Sequence, residues 1–173
     1  KGGITVSGGE ALLQIRSLTE LFRKAKALGI NTCLDTSAQP FSRETTNFSA
    51  FEELMNYTDL ILLDIKHIES NAHKQLTGWK NENILDCARY LSDIKKPVWI
   101  RHVLVPGIND DDESLHKLRN FLDSLGNIER VEVLPYHDLG VYKWEQLGLP
   151  YALSGVKPPT EENLLHARKI LTE

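Results

Sequence analysis

Short apolar segments alternate with helical patterns along the whole chain. Five runs rich in β-branched and aliphatic residues predict strands, and they are Ile4–Val6, Thr32–Leu34, Leu60–Leu63, Val98–Val105 and Val131–Leu134. Each run precedes apolar residues at three- and four-residue spacing, which is the pattern of a helix with one buried face. Repeated strand–helix units of this length predict a parallel sheet with right-handed crossovers.

The number of strands limits the architecture. Five strands are too few to close an eight-stranded barrel, so we expect an α/β fold with an open or partial barrel of about five parallel strands. A doubly wound sheet is the competing architecture. The sequence has no internal repeat and no linker, which predicts a single domain over residues 1–173. Because Lys1 stands directly before a strand and is not an initiator methionine, we expect the domain to be truncated at its N-terminus.

Residues suited to starting and ending helices stand between the strands. Gly29 follows the first helical pattern, where a left-handed residue commonly ends a helix. Asp110–Asp112 and Thr160 precede later patterns and are expected to cap them. The glycine- and proline-rich stretch from Gly140 to Pro159 is predicted to be a long loop. The apolar stripe of the first helix is predicted to contain Leu18, Leu21, Phe22, Ala25 and Leu28.

Polar side chains occur where every predicted strand ends. In parallel α/β folds, ligands bind beyond the carboxyl ends of the strands, because loops and main-chain groups converge there. A single Asp at such a position is often only a turn or helix cap, but contributions from five strands together indicate a binding site. The residues concerned are Ser7, Glu10, Asp35, Thr36, Asp64, Lys66, Arg101, His102 and His137.

Side-chain parity indicates which of these residues lie together. Residues two apart on a strand share a face, so Asp64 and Lys66 project together, as do Arg101 and Val103. A cluster containing both signs of charge suits a zwitterionic ligand, because carboxylates bind ammonium or ribose hydroxyl groups and cations bind a carboxylate. An amino acid carried on a nucleoside would fit this description.

The segment Ser7-Gly8-Gly9-Glu10 predicts a glycine turn between a strand and a helix. Two glycines would allow main-chain groups to approach a ligand without an intervening Cβ, although a tight turn without a ligand explains the segment equally well. The glycine spacing differs from that of dinucleotide-binding and phosphate-binding loops. His137 is similarly open to two interpretations, a core histidine or a member of the site.

Composition excludes several classes of function. The formal net charge of −4 gives no general attraction to nucleic acid or to anionic membranes, and no apolar run approaches the ~20 residues of a membrane span. The two cysteines, Cys33 and Cys87, are far apart in the sequence, so we do not expect a disulfide framework. A reducing compartment, the cytoplasm, is therefore the expected location. The histidines lack the spacing of a zinc site.

Six segments in collinear order carry a resemblance to a known family. They are Val6–Gln14, Thr32–Thr36, Leu62–Lys66, Trp99–Gly107, Leu134–Gly140 and Gly155–Pro159. With these segments the chain resembles the radical S-adenosylmethionine (SAM) activases of glycyl-radical enzymes over essentially its whole length. Pro135-Tyr136-His137 and Tyr142-Lys143-Trp144 resemble the pyruvate formate-lyase type of that family.

The resemblance implies a fold and a reaction. Members have a partial (βα)6 barrel of the TIM type and a 4Fe–4S cluster held by a CxxxCxxC loop, at which SAM yields a 5′-deoxyadenosyl radical. That radical takes a hydrogen from a glycine of the partner enzyme, here expected to be pyruvate formate-lyase, with flavodoxin or ferredoxin as electron donor. The activases are expected to be monomers. This sequence contains no CxxxCxxC motif, so we expect the chain by itself to be inactive.

The resemblance also implies roles for individual residues. The SAM site would contain Gly8, Gly9, Glu10, Asp35, Asp64, Lys66, Arg101, Val103, Leu134 and His137. A monovalent cation site would contain Asp35, Thr36, Leu63 through its carbonyl, and Asp64. Tyr142 and Trp144 would contact the partner. Ser37-Ala38 departs from the family, whose members often have Asn or Cys followed by Gly at these positions.

Three alternatives remain at the level of sequence. The chain could belong to an activase of another glycyl-radical enzyme. It could be an aldolase-like barrel enzyme in which Lys66 forms a Schiff base and His137 acts as acid or base. It could also be a non-catalytic docking domain that uses the Tyr142–Trp144 segment.

Overall fold

Strands and helices alternate along the chain in the computed structural model, which describes residues 2–45 and 47–173. The strands are β1 (Gly3–Val6), β2 (Asn31–Thr36), β3 (Leu60–Asp64), β4 (Val98–Leu104) and β5 (Ile128–Pro135). The α-helices are α1 (Ile15–Ala27), α2 (Phe48–Asn56), α3 (Ser70–Thr77), α4 (Glu82–Asp93), α5 (Asp112–Asp123), α6 (Val141–Gln146) and α7 (Glu161–Thr172). A short 3-10 helix, Ala11–Gln14, leads into α1.

The five strands form one parallel sheet in the order β1-β2-β3-β4-β5. A doubly wound sheet reverses its strand order at a switch point, whereas this sheet adds each new strand on the same side. The sequential order is that of a barrel wall. The expected partial barrel is therefore confirmed, and the doubly wound alternative is excluded.

The two faces of the sheet are covered differently. Along β4, Ile100 and His102 are buried, while the intervening Arg101 and Val103 are half-buried. The buried face packs against α-helices through large side chains, each of which contributes about 1.5–3 kcal/mol when fully buried. Residues of this core include Phe22, Leu34, Leu54, Ile61, Leu63, Leu91, Ile100, Leu104, Leu115, Leu118 and Leu164. The other face, the inner face of the partial barrel, stays accessible.

The predicted helix boundaries are confirmed at three positions. Gly29 has a φ of +69° at the end of α1. The Asp111 side chain caps α5 by accepting a hydrogen bond from the amide of Ser114 at 2.9 Å. Thr160 caps α7, and its partner Asn163 completes a reciprocal capping box. These local interactions fix where each helix begins or ends, so sequence is sufficient to locate them.

The apolar stripe predicted for α1 is partly wrong. Leu18, Phe22 and Ala25 are buried, but Leu21 and Leu28 are 46% and 78% exposed. Thr19 takes a buried position instead, because its hydroxyl donates to the Ile15 carbonyl within the helix and is thereby satisfied. Leu28 follows the last turn of the helix and lies beyond its packed surface.

Two short helices were not predicted. Helix α6 lies in the stretch predicted to be a loop, and it has no buried residue. Helix α3 buries only His73. A helix that buries almost nothing has no apolar periodicity, so the sequence pattern contains nothing to reveal it.

No helix within residues 2–45 and 47–173 combines the length and the apolar character that crossing a bilayer requires.

Two buried histidines predict how stability depends on pH. His73 and His102 are each 2% exposed, and burial lowers the pKa of both below the ordinary value. The folded chain therefore binds protons at these histidines at a lower pH than the unfolded chain, which binds them below about pH 6.5. The free energy of unfolding is therefore expected to fall as pH decreases from 7 to 5, with a slope of at most about 1.4 kcal/mol per pH unit for each histidine.

Urea unfolding at several pH values measures this slope. The variant His102→Gln should flatten it, while the exposed His116→Gln serves as the matched control and should leave it unchanged. Constant stability between pH 7 and 5 would contradict the prediction.

Candidate functional site

Two carboxylates and two cationic side chains meet at the carboxyl ends of β2, β3 and β4. Asp35 belongs to β2, Asp64 ends β3, Lys66 follows two residues later, and Arg101 belongs to β4. The sheet register places Asp64 beside Arg101 and aligns Asp35 with Leu62, which precedes Asp64 by two residues. Three neighbouring strands thus present these side chains on the inner face. We call the four residues the rim cluster.

Every carboxylate oxygen of the rim cluster accepts a hydrogen bond from a cation of the cluster. Arg101 donates from Nε to Asp64 Oδ1 at 2.9 Å and from Nη1 to Asp35 Oδ2 at 3.0 Å, and its Nη2 donates to Asp35 Oδ1. Lys66 Nζ donates to Asp64 Oδ2 at 2.8 Å. Their side chains remain 17–31% exposed, so a ligand can reach them.

The charge state of Arg101 follows from its neighbours. Burial disfavours the charged guanidinium, but the carboxylates of Asp64 and Asp35 outweigh burial and raise the pKa of Arg101. The guanidinium therefore stays protonated, and it joins β4 to β3 and β2, the next two strands on one side of it, by charge-assisted hydrogen bonds.

The Glu10 carboxylate fastens the end of β1 to the end of β2. Its Oε1 accepts from the Leu12 amide at 3.1 Å and the Thr36 hydroxyl at 2.5 Å, and its Oε2 accepts from the Ser37 amide at 3.0 Å and hydroxyl at 2.6 Å. Four donors occupy this carboxylate. Its position is therefore structural, and contact of the turn with a ligand falls to the main chain.

The main chain at Gly8 and Gly9 is open. Their φ angles are +102° and +52°, a region that L side chains rarely adopt, and no heavy atom lies within 4 Å of a Cβ built on either residue. The predicted glycine turn is confirmed. It is an exposed stretch of main chain next to Glu10. A ligand could approach its carbonyl and amide groups closely.

The departure at Ser37-Ala38 does not prevent a glycine-like loop. Ala38 has a φ of +56°, which costs a non-glycine residue about 1–2 kcal/mol, and it is completely buried. Its amide donates to the Thr36 hydroxyl at 2.9 Å, and Ser37 holds Glu10. Sequence reasoning missed this role of Ser37, because only the fold brings it to Glu10.

The remaining SAM-site candidates differ in position. Val103 and Leu134 are register partners on β4 and β5, and both are half-buried on the inner face beside the rim cluster. His137 follows β5 and is exposed, and it makes no hydrogen bond or ion pair with the described residues. The structure therefore assembles the candidates of β2, β3, β4 and β5 on one face but does not join His137 to them.

The cation-site candidates are already engaged within the chain. The carboxylates of Asp35 and Asp64 bind Arg101 and Lys66, and the Thr36 hydroxyl donates to Glu10. The Leu63 side chain is completely buried under the helices. A monovalent cation would have to share both carboxylates with the guanidinium of Arg101.

The two partner-contact candidates lie on the surface. Tyr142 and Trp144 belong to α6 and are 53% and 42% exposed. The Trp144 ring packs against Tyr151 with 5.7 Å between ring centroids. Leu139 and Leu147 beside them are more than 70% exposed. We call residues 139–149 the apolar segment. Clusters of exposed apolar side chains are typical of contact surfaces.

Sequence reasoning also missed Glu132. It is the register partner of Arg101 on β5 and forms an ion pair with Arg130, with 3.1 Å between Nε and Oε1. Its parity with Leu134 was visible in the sequence and would have placed it on the inner face.

The residues present do not fit an iron–sulfur cluster. Such clusters need several thiolates in one place, whereas Cys33 lies in β2 and Cys87 in α4, and burial raises the pKa of both thiols. Within residues 2–45 and 47–173, no group of three or more His, Cys, Asp or Glu residues could hold a metal ion.

Comparison with known proteins places this geometry in a family. A family model described as the radical SAM superfamily matches residues 1–118. The chain belongs to the radical SAM superfamily. It is 55% identical over 170 residues to the pyruvate formate-lyase-activating enzyme of Streptococcus mutans, which covers 98% of this chain and 65% of that protein. The protein of the same name from Staphylococcus epidermidis is 56% identical over 166 residues, which covers 96% of this chain and 66% of that protein.

Solved structures agree with this membership. A crystallised domain of pyruvate-formate lyase-activating enzyme from Bacteroides vulgatus is 28% identical, with a TM-score of 0.81, and the match covers 99% of this chain and 94% of that one. SuiB from Streptococcus suis, solved with SAM bound, has a TM-score of 0.73 at 20% identity over 98% of this chain and 36% of its own length. The latter likeness concerns the fold alone.

Removing Arg101 tests the rim cluster of this radical SAM chain. Arg101→Met leaves two half-buried carboxylates without their main partner, and we expect a loss of about 2–3 kcal/mol in the free energy of unfolding. Adding Asp35→Asn should restore part of it, because one unpaired charge is removed. Urea denaturation measures both effects.

Arg23→Met is the matched control, since Arg23 forms an exposed ion pair with Glu20. That change should cost less than about 0.5 kcal/mol. Equal losses in the two arginine variants would mean that the rim cluster is worth no more than a surface ion pair.

Proposed function

We propose that the rim cluster and the adjoining glycine turn bind SAM, and that this chain is the larger part of an activase that forms a glycyl radical on pyruvate formate-lyase. The rim cluster is the observation that carries the proposal, because four charged side chains of alternating sign converge where ligands of parallel α/β folds bind. The family and the names of the relatives support it.

Each polar part of SAM has a partner in this arrangement. Lys66 and Arg101 suit the carboxylate, because they provide charge-assisted donors, and Asp35 and Asp64 suit the ammonium and ribose groups. The open carbonyls of the glycine turn suit the ammonium group as well, since the Glu10 carboxylate is already occupied. A zwitterion can thus replace the internal ion pairs of the cluster by equivalent contacts.

Apolar contacts complete the proposed site. Val103 and Leu134 lie side by side next to the cluster, and we assign them to the adenine ring. His137 is assigned to the polar edge of the adenosine. His137 is exposed and makes no hydrogen bond or ion pair with the rim cluster, so its ring is available to a ligand.

The radical chemistry is outside what these residues provide. In this family, SAM and a 4Fe–4S cluster together supply the 5′-deoxyadenosyl radical, and this chain lacks the cysteines for such a cluster. We therefore assign SAM binding and partner docking to the chain, which we treat as a single radical SAM domain over residues 1–173. Flavodoxin or ferredoxin as donor, a monomeric state and a cytoplasmic location remain predictions.

The monovalent cation remains a prediction too. Asp35 and Asp64 already bind the guanidinium of Arg101, which provides positive charge where the cation would bind.

The aldolase alternative is disfavoured. The family model that matches residues 1–118 is that of the radical SAM superfamily, and Lys66 Nζ is engaged by Asp64 Oδ2 at 2.8 Å. Activation of another glycyl-radical enzyme is not favoured either, since the similar relatives are named for pyruvate formate-lyase.

SAM binding can be measured on the chain itself by isothermal titration calorimetry. We expect Lys66→Met and Asp64→Asn each to weaken SAM binding about tenfold, because each removes a charge-assisted contact. Lys24→Met changes an exposed lysine of α1 and should leave the affinity unchanged. Absence of saturable binding at millimolar SAM, with the chain folded by circular dichroism, would rule out this rim as a SAM site.

Docking can be tested with purified pyruvate formate-lyase and the immobilised chain. Trp144→Ala is expected to reduce retention about tenfold or more, because exposed tryptophans often dominate contact energies. The matched control is Trp79→Ala, since Trp79 is 64% exposed and lies outside the apolar segment. Equal retention by both variants would remove the apolar segment from the proposed interface.

A further inference from the structure

We propose that Asn109 is a positioning residue. It holds the main chain of Lys66 where the Lys66 side chain reaches the rim cluster. Asn109 lies after β4 and is 1% exposed, so it cannot touch a ligand itself. Its side chain is bound to the main chain of two candidate site residues, Lys66 and Val103. The significance of this role depends on the proposed SAM site, but the geometry stands independently of it.

The Asn109 amide uses its full set of donors and its acceptor. Nδ2 donates to the Lys66 carbonyl at 2.8 Å and to the Val103 carbonyl at 2.9 Å, while Oδ1 accepts from the Val105 amide at 2.7 Å. An amide is the side chain that supplies two donors and an acceptor on one short stem. Among the described residues, Asn109 is the only one whose side chain binds the main chain of Lys66.

The neighbours of Lys66 are held against β4 in the same way. The Ile65 amide donates to the Arg101 carbonyl at 3.0 Å, and His102 Nδ1 lies 2.8 Å from the Ile65 carbonyl. His67 Nδ1 accepts from the Glu69 amide, so Nε2 carries the proton that is donated to the Ile108 carbonyl at 3.1 Å.

The segment after β3 therefore continues along β4 beyond the last paired residues of the sheet. Within this segment, the side chain of Lys66 enters the rim cluster, and the Asn109 side chain holds the Lys66 carbonyl by a hydrogen bond. Since Lys66 reaches Asp64 across only two residues, a shift of its main chain would separate Nζ from Oδ2. The structure thus assigns to Asn109 the placement of the cationic end of the proposed site.

Chemical modification of Lys66 tests this assignment without requiring SAM to bind. Asn109→Asp keeps the size and the acceptor but removes both donors. We expect acetylation of Lys66 by a water-soluble acylating reagent to become roughly two- to fivefold faster, because the half-exposed ion pair between Lys66 and Asp64 is lost. Mass spectrometry measures the rate. Lys96, whose part-buried Nζ donates to the carbonyls of Met55 and Thr58, should react at an unchanged rate and reports on general unfolding.

Asn127→Asp is the matched control. Asn127 Nδ2 also donates to a lysine carbonyl, that of Lys96 at 2.6 Å, but at the opposite end of the sheet. Its replacement should leave Lys66 acetylation unchanged. Asn109→Ser, which is too short to reach both carbonyls, provides a second variant if Asn109→Asp does not fold, and the same selective rise is expected.

Two results would overturn the proposal. One is an unchanged rate at Lys66 in a folded Asn109 variant. The other is an equal rise at Lys66 and Lys96, which would mean that Asn109 only stabilises the fold. Protection of Lys66 by added SAM is a separate measurement on the unsubstituted chain. Its failure would count against the SAM site, whereas the comparison of variants would still decide the role of Asn109.

Discussion

The bridge that Arg101 forms between Asp35 and Asp64 is the interaction on which the candidate site depends. Three adjacent strands each place one charged group on the accessible face, and no one of these charges would be stable there alone. Because the guanidinium fork matches carboxylate geometry, a single side chain satisfies three of the four oxygens. Lys66 donates to the fourth oxygen, so the two cations neutralise the two carboxylates.

The one-sided covering of the sheet makes this bridge possible. Helices bury alternate residues of β3 and β4, and the opposite parity is left half-exposed. Hydrophobic burial on the helix side supplies most of the stability, so polar groups can be retained on the inner face. Hydrogen bonds of the Glu10 and Asn109 side chains then hold the loops that leave β1 and β4. Binding groups thus stand on a rigid sheet rather than on free loops.

Several parts of this arrangement could be predicted from particular residues. The parity of Asp64 with Lys66 and of Arg101 with Val103 places them on one face, and capping by Asp111 is local. Other parts could not be predicted. Ser37 and Asn109 are polar residues in loops with no periodic pattern, and their partners are distant in the sequence.

The sequence by itself determined the order of the five strands and of the helices that have an apolar stripe, together with most of the charged residues at the strand ends, because spacing of two or about four residues is a property of the chain alone. Only the tertiary structure decided which carboxylate binds which cation, that Glu10 is occupied by Thr36 and Ser37, and that His137 is exposed. These outcomes depend on strand register and on loop paths, which bring together groups that are tens of residues apart.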